Sequence, residues 1–323
     1  MLRSESAAEG SSLQSPIAAL STMWSQGRFP KGDGVDDMGR FAETAARLGF
    51  PHIEINYVIP PEGVEQLLSS NHVAVASLHS PTPRVKTADG RWSDALNLAS
   101  PDQDERALAV TRARATIDYA VRAGARYVVV HLGGIESEMF DEERQLRRLY
   151  DAGTREGDDV EVLRRQAIAR RSQEAPRWLP QARRSLAEIA EHAAPHHVAI
   201  GLENRYHYHE FPSVDEMHEL LAGYPPGVAG FWLDVGHAEV LDRLGLVDRH
   251  RWLNELASRC LGAHVHDVDG LADHRPPGHG TADWEHFAAG LPPHIPRVFE
   301  INQKTPEDQV AASIPFLRSR GVL

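Results

Sequence analysis

Histidines and carboxylates close the short apolar runs of this chain, and that placement is where its chemistry can be read. His79 ends VAVASLH (73–79), His131 ends ARYVVVH (125–131), Glu203 ends HVAIGLE (197–203) and Asp234 ends VAGFWLD (228–234). His264 and His266 lie in LGAHVH (261–266), and Glu300 lies in RVFEIN (297–302). Imidazole is the side chain that titrates nearest neutrality and the commonest protein metal ligand. Carboxylates add oxygen donors and acid–base capacity. A nitrogen-plus-oxygen donor set without sulfur suits Zn, Mn, Co or Fe, with Mg less favoured.

These residues converge only if the elements carrying them share one end. Two further apolar runs, IAALST (17–22) and HIEIN (52–56), bring the total to eight. Segments of helical period separate them, among them 36–50, 104–125 and 213–223, the last opening on a Ser213–Glu216 capping-box signature. Runs that are apolar throughout are expected of parallel strands covered on both faces. Eight strand–helix units predict an α/β fold of the (β/α)8 TIM-barrel type, with a doubly wound sheet as the competitor. No Gly-x-Gly-x-x-Gly follows a strand, which weakens the dinucleotide-binding version of that competitor. The expected organisation is a disordered segment 1–16 and a single barrel domain 17–323. A charged helical insertion over 135–180 follows the fourth strand, either as a solvated helix pair or as a lid over the pocket.

In such a barrel the C-terminal strand ends all point into one mouth. A lone histidine or carboxylate there is more often hydrogen-bonded structure or a helix cap. Six strands in succession delivering such groups is harder to explain, because crowded acids repel and are costly to desolvate. A bound divalent cation removes both costs. His237 follows Asp234 by three residues, and 263–284 adds Asp267, Asp269, Asp273, His274 and His279. Side chains two apart on a strand share a face, so pattern does not separate His264 from His266.

Composition narrows the partners. Lys and Arg number 34 against 46 Asp and Glu, a formal charge of −12, which disfavours general nucleic-acid binding. The single cysteine, Cys260, excludes an intramolecular disulfide framework and a thiolate metal cluster. No apolar run is long enough to span a bilayer and no secretory signal is visible, so a cytoplasmic protein without a membrane partner is expected.

At these residues the chain resembles the xylose isomerase-like TIM-barrel superfamily of sugar and sugar-phosphate isomerases and epimerases, which also contains endonuclease IV. The resemblance spans about 17–320. It rests on Leu-His79-Ser-Pro, VVVHLGG (128–134), GLEN (201–204), LDVGHA (233–238), HVHDVD with the downstream DHRPPGHG (264–280), and FEIN (299–302).

It implies that Glu203, Asp234, His264 and Glu300 match the core metal site. His79, His131, His237 and His274 match further ligands of the multi-zinc, endonuclease IV-like version; Asp273 stands one residue from the place of another. Relatives often carry Pro-Gly-Glu-Gly where this chain has Pro-Gly-His279-Gly. The implied activity is a metal-dependent isomerase or epimerase, or a related keto-sugar lyase or dehydratase, working through an enediolate on a small carbohydrate. Glu203 and Glu300 would serve as base and acid and His237 would orient a hydroxyl. Arg205, His207 and His266 would contact substrate, with a surface ion pair as the plainer role for Arg205. The alternatives are a multi-zinc phosphodiesterase acting on abasic DNA and a sugar-binding barrel without activity. A homo-oligomer is compatible with the resemblance.

Overall fold

The computed structural model describes residues 16–32, 36–136 and 138–323. The segment expected to be disordered lies, over 1–15, outside the described residues. The strands are β1 (Ala18–Ser21), β2 (His52–Ile55), β3 (Ala74–His79), β4 (Tyr127–Val130), β5 (Ala199–Glu203), β6 (Ala229–Asp234), β7 (Cys260–His264), β8 (Asp267–Asp269), β9 (Ala272–Arg275) and β10 (Arg297–Phe299). The helices are α1 (Met38–Arg47), α2 (Pro61–Leu68), α3 (Gln103–Ala123), α4 (Asp141–Asp151), α5 (Asp158–Ala193), α6 (Val214–Leu221), α7 (Val235–Arg243), α8 (His250–Leu256), α9 (Trp284–Gly290) and α10 (Glu307–Ser319).

Apart from β8 and β9, every strand joins one closed parallel barrel, in the order β1-β10-β7-β6-β5-β4-β3-β2. All eight apolar runs supply one barrel strand each, so the fold is a (β/α)8 TIM barrel and not a doubly wound sheet. Local signals agree with it. Asp102 caps α3 by accepting the amides of Asp104 and Glu105, and α3 stops at Gly124 in the left-handed conformation. The Ser213–Glu216 capping box forms at the start of α6.

Two features differ from expectation. The loop after β7 folds back as the antiparallel hairpin β8–β9, turning at Gly270-Leu271, with Gly270 at φ 61°; glycine supplies the positive φ that the first position of a two-residue hairpin turn needs. The stretch expected as an insertion holds α4 and the first part of α5, but α5 continues past 180 to Ala193 as one helix of 36 residues. No helix among the described residues is long and apolar enough to cross a membrane.

The barrel interior is plugged below the mouth. Trp232, fully buried, packs with Ala19, Ala76, Val129 and Val298. Gly201 and Gly262 on the flanking strands give its ring room, since a Cβ at either would press into the indole. Gly262→Ala is therefore expected to cost about 1–3 kcal/mol by overpacking a side chain that has nowhere to go. Urea unfolding read by Trp fluorescence and far-UV circular dichroism checks this; an unchanged midpoint would show the plug to be slack.

Candidate metal centre

Register sets the geometry of the mouth. Asp234 ends β6 beside His264 of β7, and His264 pairs in turn with Val298 of β10, two residues before Glu300. His264 Nδ1 lies 2.9 Å from Glu203 Oε1, 3.3 Å from Glu300 Oε2 and 3.6 Å from Asp234 Oδ2. Glu203, Asp234, His264 and Glu300 each offer one donor atom to a common space, and all four are buried. Two more groups flank them. His79 and His131 meet Glu203, their Nε2 atoms 3.1 and 2.6 Å from its Oε2. On the other side His237, Asp273 and His274 converge.

Carboxylates this deep need positive charge. Burial alone would raise the Glu203 carboxyl, but the His264 imidazole against it holds it well below the usual carboxylate range. Burial likewise opposes ionisation of Asp234, and His237 and His266 beside it win, holding it well below its ordinary value. Burial pulls the His264 imidazole down, yet the charges of Glu300, Glu54 and Glu203 push it well above its ordinary value. A proton held between acids is what a divalent ion would replace.

The hydrogen bonds test whether the residues fit such an ion. His79 Nδ1 faces the Ser80 carbonyl at 3.2 Å, His237 Nδ1 the Asn204 carbonyl at 2.9 Å and His274 Nδ1 the Glu300 carbonyl at 3.0 Å. A carbonyl only accepts, so each Nδ1 carries hydrogen and each Nε2 is left to present a lone pair toward the acids. His264 is turned the other way. Its Nε2 faces the Glu54 carboxylate at 3.1 and 3.2 Å, which leaves Nδ1 toward the common space. Fixing the far nitrogen in this way is how metal-binding histidines are oriented. Burial, with Arg205 and His79 adding to it, pushes the His131 imidazole down to about 3, so its ring is neutral. The donor set fits a divalent cation.

The residues that hold the mouth in shape are partly ones the strand-end pattern does not single out. Glu54, fully buried on β2, accepts from Ser77 Oγ at 2.8 Å besides facing His264. Its signal was a charged residue inside the otherwise apolar HIEIN run. Asn56 donates Nδ2 to Glu300 Oε1 at 2.9 Å. Asn204 exchanges two hydrogen bonds with the Asp234 backbone, at 2.7 and 2.9 Å. Asp234 also caps α7 by accepting the His237 amide at 2.7 Å, so one carboxylate both caps the helix and faces the site. Asp273, one residue out of register in sequence, joins the flanking group, and His274 after it adopts φ 53° on the hairpin.

Two expected substrate contacts are placed elsewhere. His266 is fully buried behind Asp234: its Nε2 lies 3.0 Å from Asp234 Oδ2, and its Nδ1 accepts the His274 amide at 2.9 Å. The strand ends at His264, so the alternation that would have kept His266 on the same face is lost. His207 is turned toward α4, its Nδ1 3.0 Å from Glu143 Oε1. Arg205 does line a cavity beside His131; it donates to Glu210 Oε1 at 2.8 Å and stands 3.5 Å from Glu203. Asp267 accepts from the amides of Val268, Gly278 and Ala282 and from Trp284 Nε1, a loop-fastening role. His279 is exposed and joins none of the three groups.

The family model described as xylose isomerase-like TIM barrel matches residues 42–320. A comparison with curated proteins finds no match. Solved structures share the fold. A D-psicose 3-epimerase with D-tagatose, from Clostridium cellulolyticum H10, superposes with TM-score 0.63 at 13% identity, covering 95% of this chain and 100% of that one. A D-tagatose 3-epimerase-like protein gives TM-score 0.61 at 18% identity, covering 94% and 96%. An IolI protein with a binding zinc atom gives TM-score 0.61 at 12% identity, covering 95% and 98%.

The loop after β5 that carries Arg205 is clamped from outside. Glu143 of α4, fully buried, accepts from Arg147 at 2.7 Å and from the Tyr208 amide at 2.9 Å. Arg171 of α5 donates to the carbonyls of Tyr208 and Glu210 at 2.7 and 2.8 Å and to both Glu216 oxygens. Removing the Glu143 carboxylate strands Arg147 and the Tyr208 amide. Glu143→Ala is expected to lower the opening free energy of α4 and residues 204–210 by about 3 kcal/mol. Hydrogen–deuterium exchange of those amides checks this; unchanged protection would show that α4 does not hold the loop.

Proposed function

Because the chain belongs to the xylose isomerase-like TIM-barrel family, we propose that it is a metal-dependent sugar isomerase or epimerase acting through an enediolate. One observation carries the reading: Glu203 and Glu300 both approach His264 Nδ1, at 2.9 and 3.3 Å. Two carboxylates brought to one small space can take and return an α-proton.

Glu203, Asp234, His264 and Glu300 would hold the ion. A divalent cation there, Zn, Mn, Co or Fe before Mg by donor type, supplies Lewis-acid stabilisation of negative charge on substrate oxygens. The protein residues do the rest. One glutamate takes the proton from the carbon bearing the hydroxyl next to the carbonyl, and the C–H electron pair moves onto the carbonyl oxygen. The other returns a proton, to the opposite face of that carbon for an epimerase; for an isomerase it goes to the neighbouring carbon while the hydroxyl proton passes from the first oxygen to the second, so that the first carbon becomes the carbonyl. Asn56 holds Glu300 on its line of approach. Tyr57, its phenol pushed up to about 12 by burial and by Glu300, stays protonated as a hydrogen-bond donor. His237, pinned through Nδ1, turns Nε2 toward the space beside Asp273 for a substrate hydroxyl or a further cation. Some relatives are described as sugar 3-epimerases and one as carrying zinc, in keeping with this chemistry. A carbohydrate substrate and a cytoplasmic setting go with it.

The flanking groups at His79–His131–Glu203 and His237–Asp273–His274 favour a second reading, a multi-zinc phosphodiesterase acting on abasic DNA. The charge of −12 counts against a DNA substrate.

The deciding experiment follows α-proton exchange of ketoses in deuterated water beside cleavage of an abasic-site oligonucleotide, on protein with measured metal content. Exchange without cleavage is expected; cleavage without exchange replaces the first reading with the second. Glu203→Gln should lower exchange by about 10²–10⁴-fold, and wild-type exchange in that variant would remove Glu203 from the mechanism. Glu54→Gln should weaken divalent-ion binding by about 10–100-fold in chelator competition. Unaltered affinity there would mean that Glu54 does not orient His264.

A further inference from the structure

We infer that the substrate is a neutral glycosylated sugar, its reacting carbons at Glu203 and Glu300 and its second ring in the cavity walled by α3, α5 and the loops after β3 and β4. This rests on the isomerase or epimerase reading and specifies its substrate class.

Three observations support it. The first is size. The cavity opens beside the mouth, at Tyr57, His131 and Arg205, and has a volume of about 860 Å³. Ligand pockets run from about 300 to 1,000 Å³, and one hexose would occupy only a small part of this one. The second is polarity. Near the mouth the wall is polar, with Tyr57, Arg205 and Asn97, the last held by Gly134 through a hydrogen bond of 2.9 Å. The half-buried indole of Trp178, from α5, joins Leu98, ahead of α3, and Ala109 of α3. An apolar aromatic wall suits the C–H face of a second ring better than it suits bulk water.

The third observation is charge. Two arginines line the cavity, and both are engaged. Arg91 donates to Asp89 at 2.8 Å and to Glu105 at 2.6 Å, and Arg205 is paired with Glu210. The lining acids are Asp94, Glu105, Glu136 and Glu210; Asp94 accepts from Arg84 at 3.0 Å and Glu136 stands 3.5 Å from Arg170, so the acids too are paired. Among the described lining residues no cation is left over for a phosphate, which would lose its water without gaining a counter-charge. A hydroxyl-rich neutral ring needs none.

The test titrates the Mn²⁺-loaded full chain by calorimetry with three ligands that differ only at one hydroxyl. These are D-fructose, D-fructose 6-phosphate and palatinose, in which a glucosyl group replaces the phosphate. Palatinose is expected to bind at least about tenfold more tightly than fructose, and the phosphate more weakly than either. Trp178→Ala should collapse the palatinose advantage to below about threefold, and Trp178→Phe should restore it, which separates ring contact from a folding defect. A gain from 6-O-benzyl-D-fructose smaller than that from palatinose supports a second sugar ring; an equal gain would show that the space takes any apolar ring and overturns the glycosylated substrate class.

Tighter binding of the phosphate, equal binding of palatinose and fructose, or an advantage that survives Trp178→Ala overturns it. Proton exchange on the same samples separates the two readings. Exchange on fructose with no palatinose advantage sinks only the substrate class. Selective palatinose binding without exchange on any sugar keeps the cavity assignment and sinks the isomerase chemistry. Failure of every sugar to bind sinks both.

Discussion

Buried negative charge at the barrel mouth is the constraint around which this molecule is arranged. Glu54, Glu203, Asp234 and Glu300 are all almost completely removed from solvent. Acids in that density are unstable unless positive charge is threaded between them. Imidazoles from five elements or the turns beyond them surround these acids, His79, His131, His237, His264 and His274, and that of His264 is held well above its ordinary value by the acids around it. Most of these rings are also held at the nitrogen facing away from the common space. Backbone carbonyls do this for His79, His237 and His274, and Glu54 does it for His264. The orientation of the donors is therefore built into the fold before any ligand arrives, which is the kind of preorganisation that makes a site selective.

The additions to the barrel serve this mouth. The hairpin β8–β9 brings Asp273 and His274 back over the strand ends, with a left-handed residue at His274 where the chain must turn both groups inward. Such a conformation is uncommon outside glycine and persists where the surroundings fix it. Here the surroundings are the His266 ring, accepting the His274 amide, and the Glu300 carbonyl. Beside the hairpin, which Tyr206 joins through a hydrogen bond to the Leu271 carbonyl, α4 and α5 hold the loop after β5 through Glu143 and Arg171. The charged insertion is therefore more than a solvated helix pair: its inner face carries buried polar anchors, and Trp178 forms part of a cavity wall.

Much of this could be read from residues alone. The eight apolar runs each became a barrel strand, because parallel strands covered on both faces need little more than continuous apolar character. The acids and imidazoles at the strand ends came together for the same topological reason, since every strand of such a barrel points one way. The residues that escaped notice act sideways. Glu54, Asn56 and Asn204 touch the site through a neighbour, and a pattern of strand ends does not register a partner on the adjacent strand. His266 and His207 are the converse case: each stands two residues from a group at the mouth, His264 and Arg205, but the backbone turns them toward Asp234 and α4.

What the sequence determined by itself was the alternation of strand and helix and the chemical type of the groups at the mouth, both local properties of composition and period. The tertiary structure decided which donor atom faces which. Alternation along a strand stops where the strand stops, so the roles of His264 and His266 diverged only once β7 ended and the hairpin began. It also decided the cavity, whose wall joins segments as distant as Tyr57, Asn97 and Trp178. Its size and the pairing of its arginines depend on packing between helices that share no sequence signal.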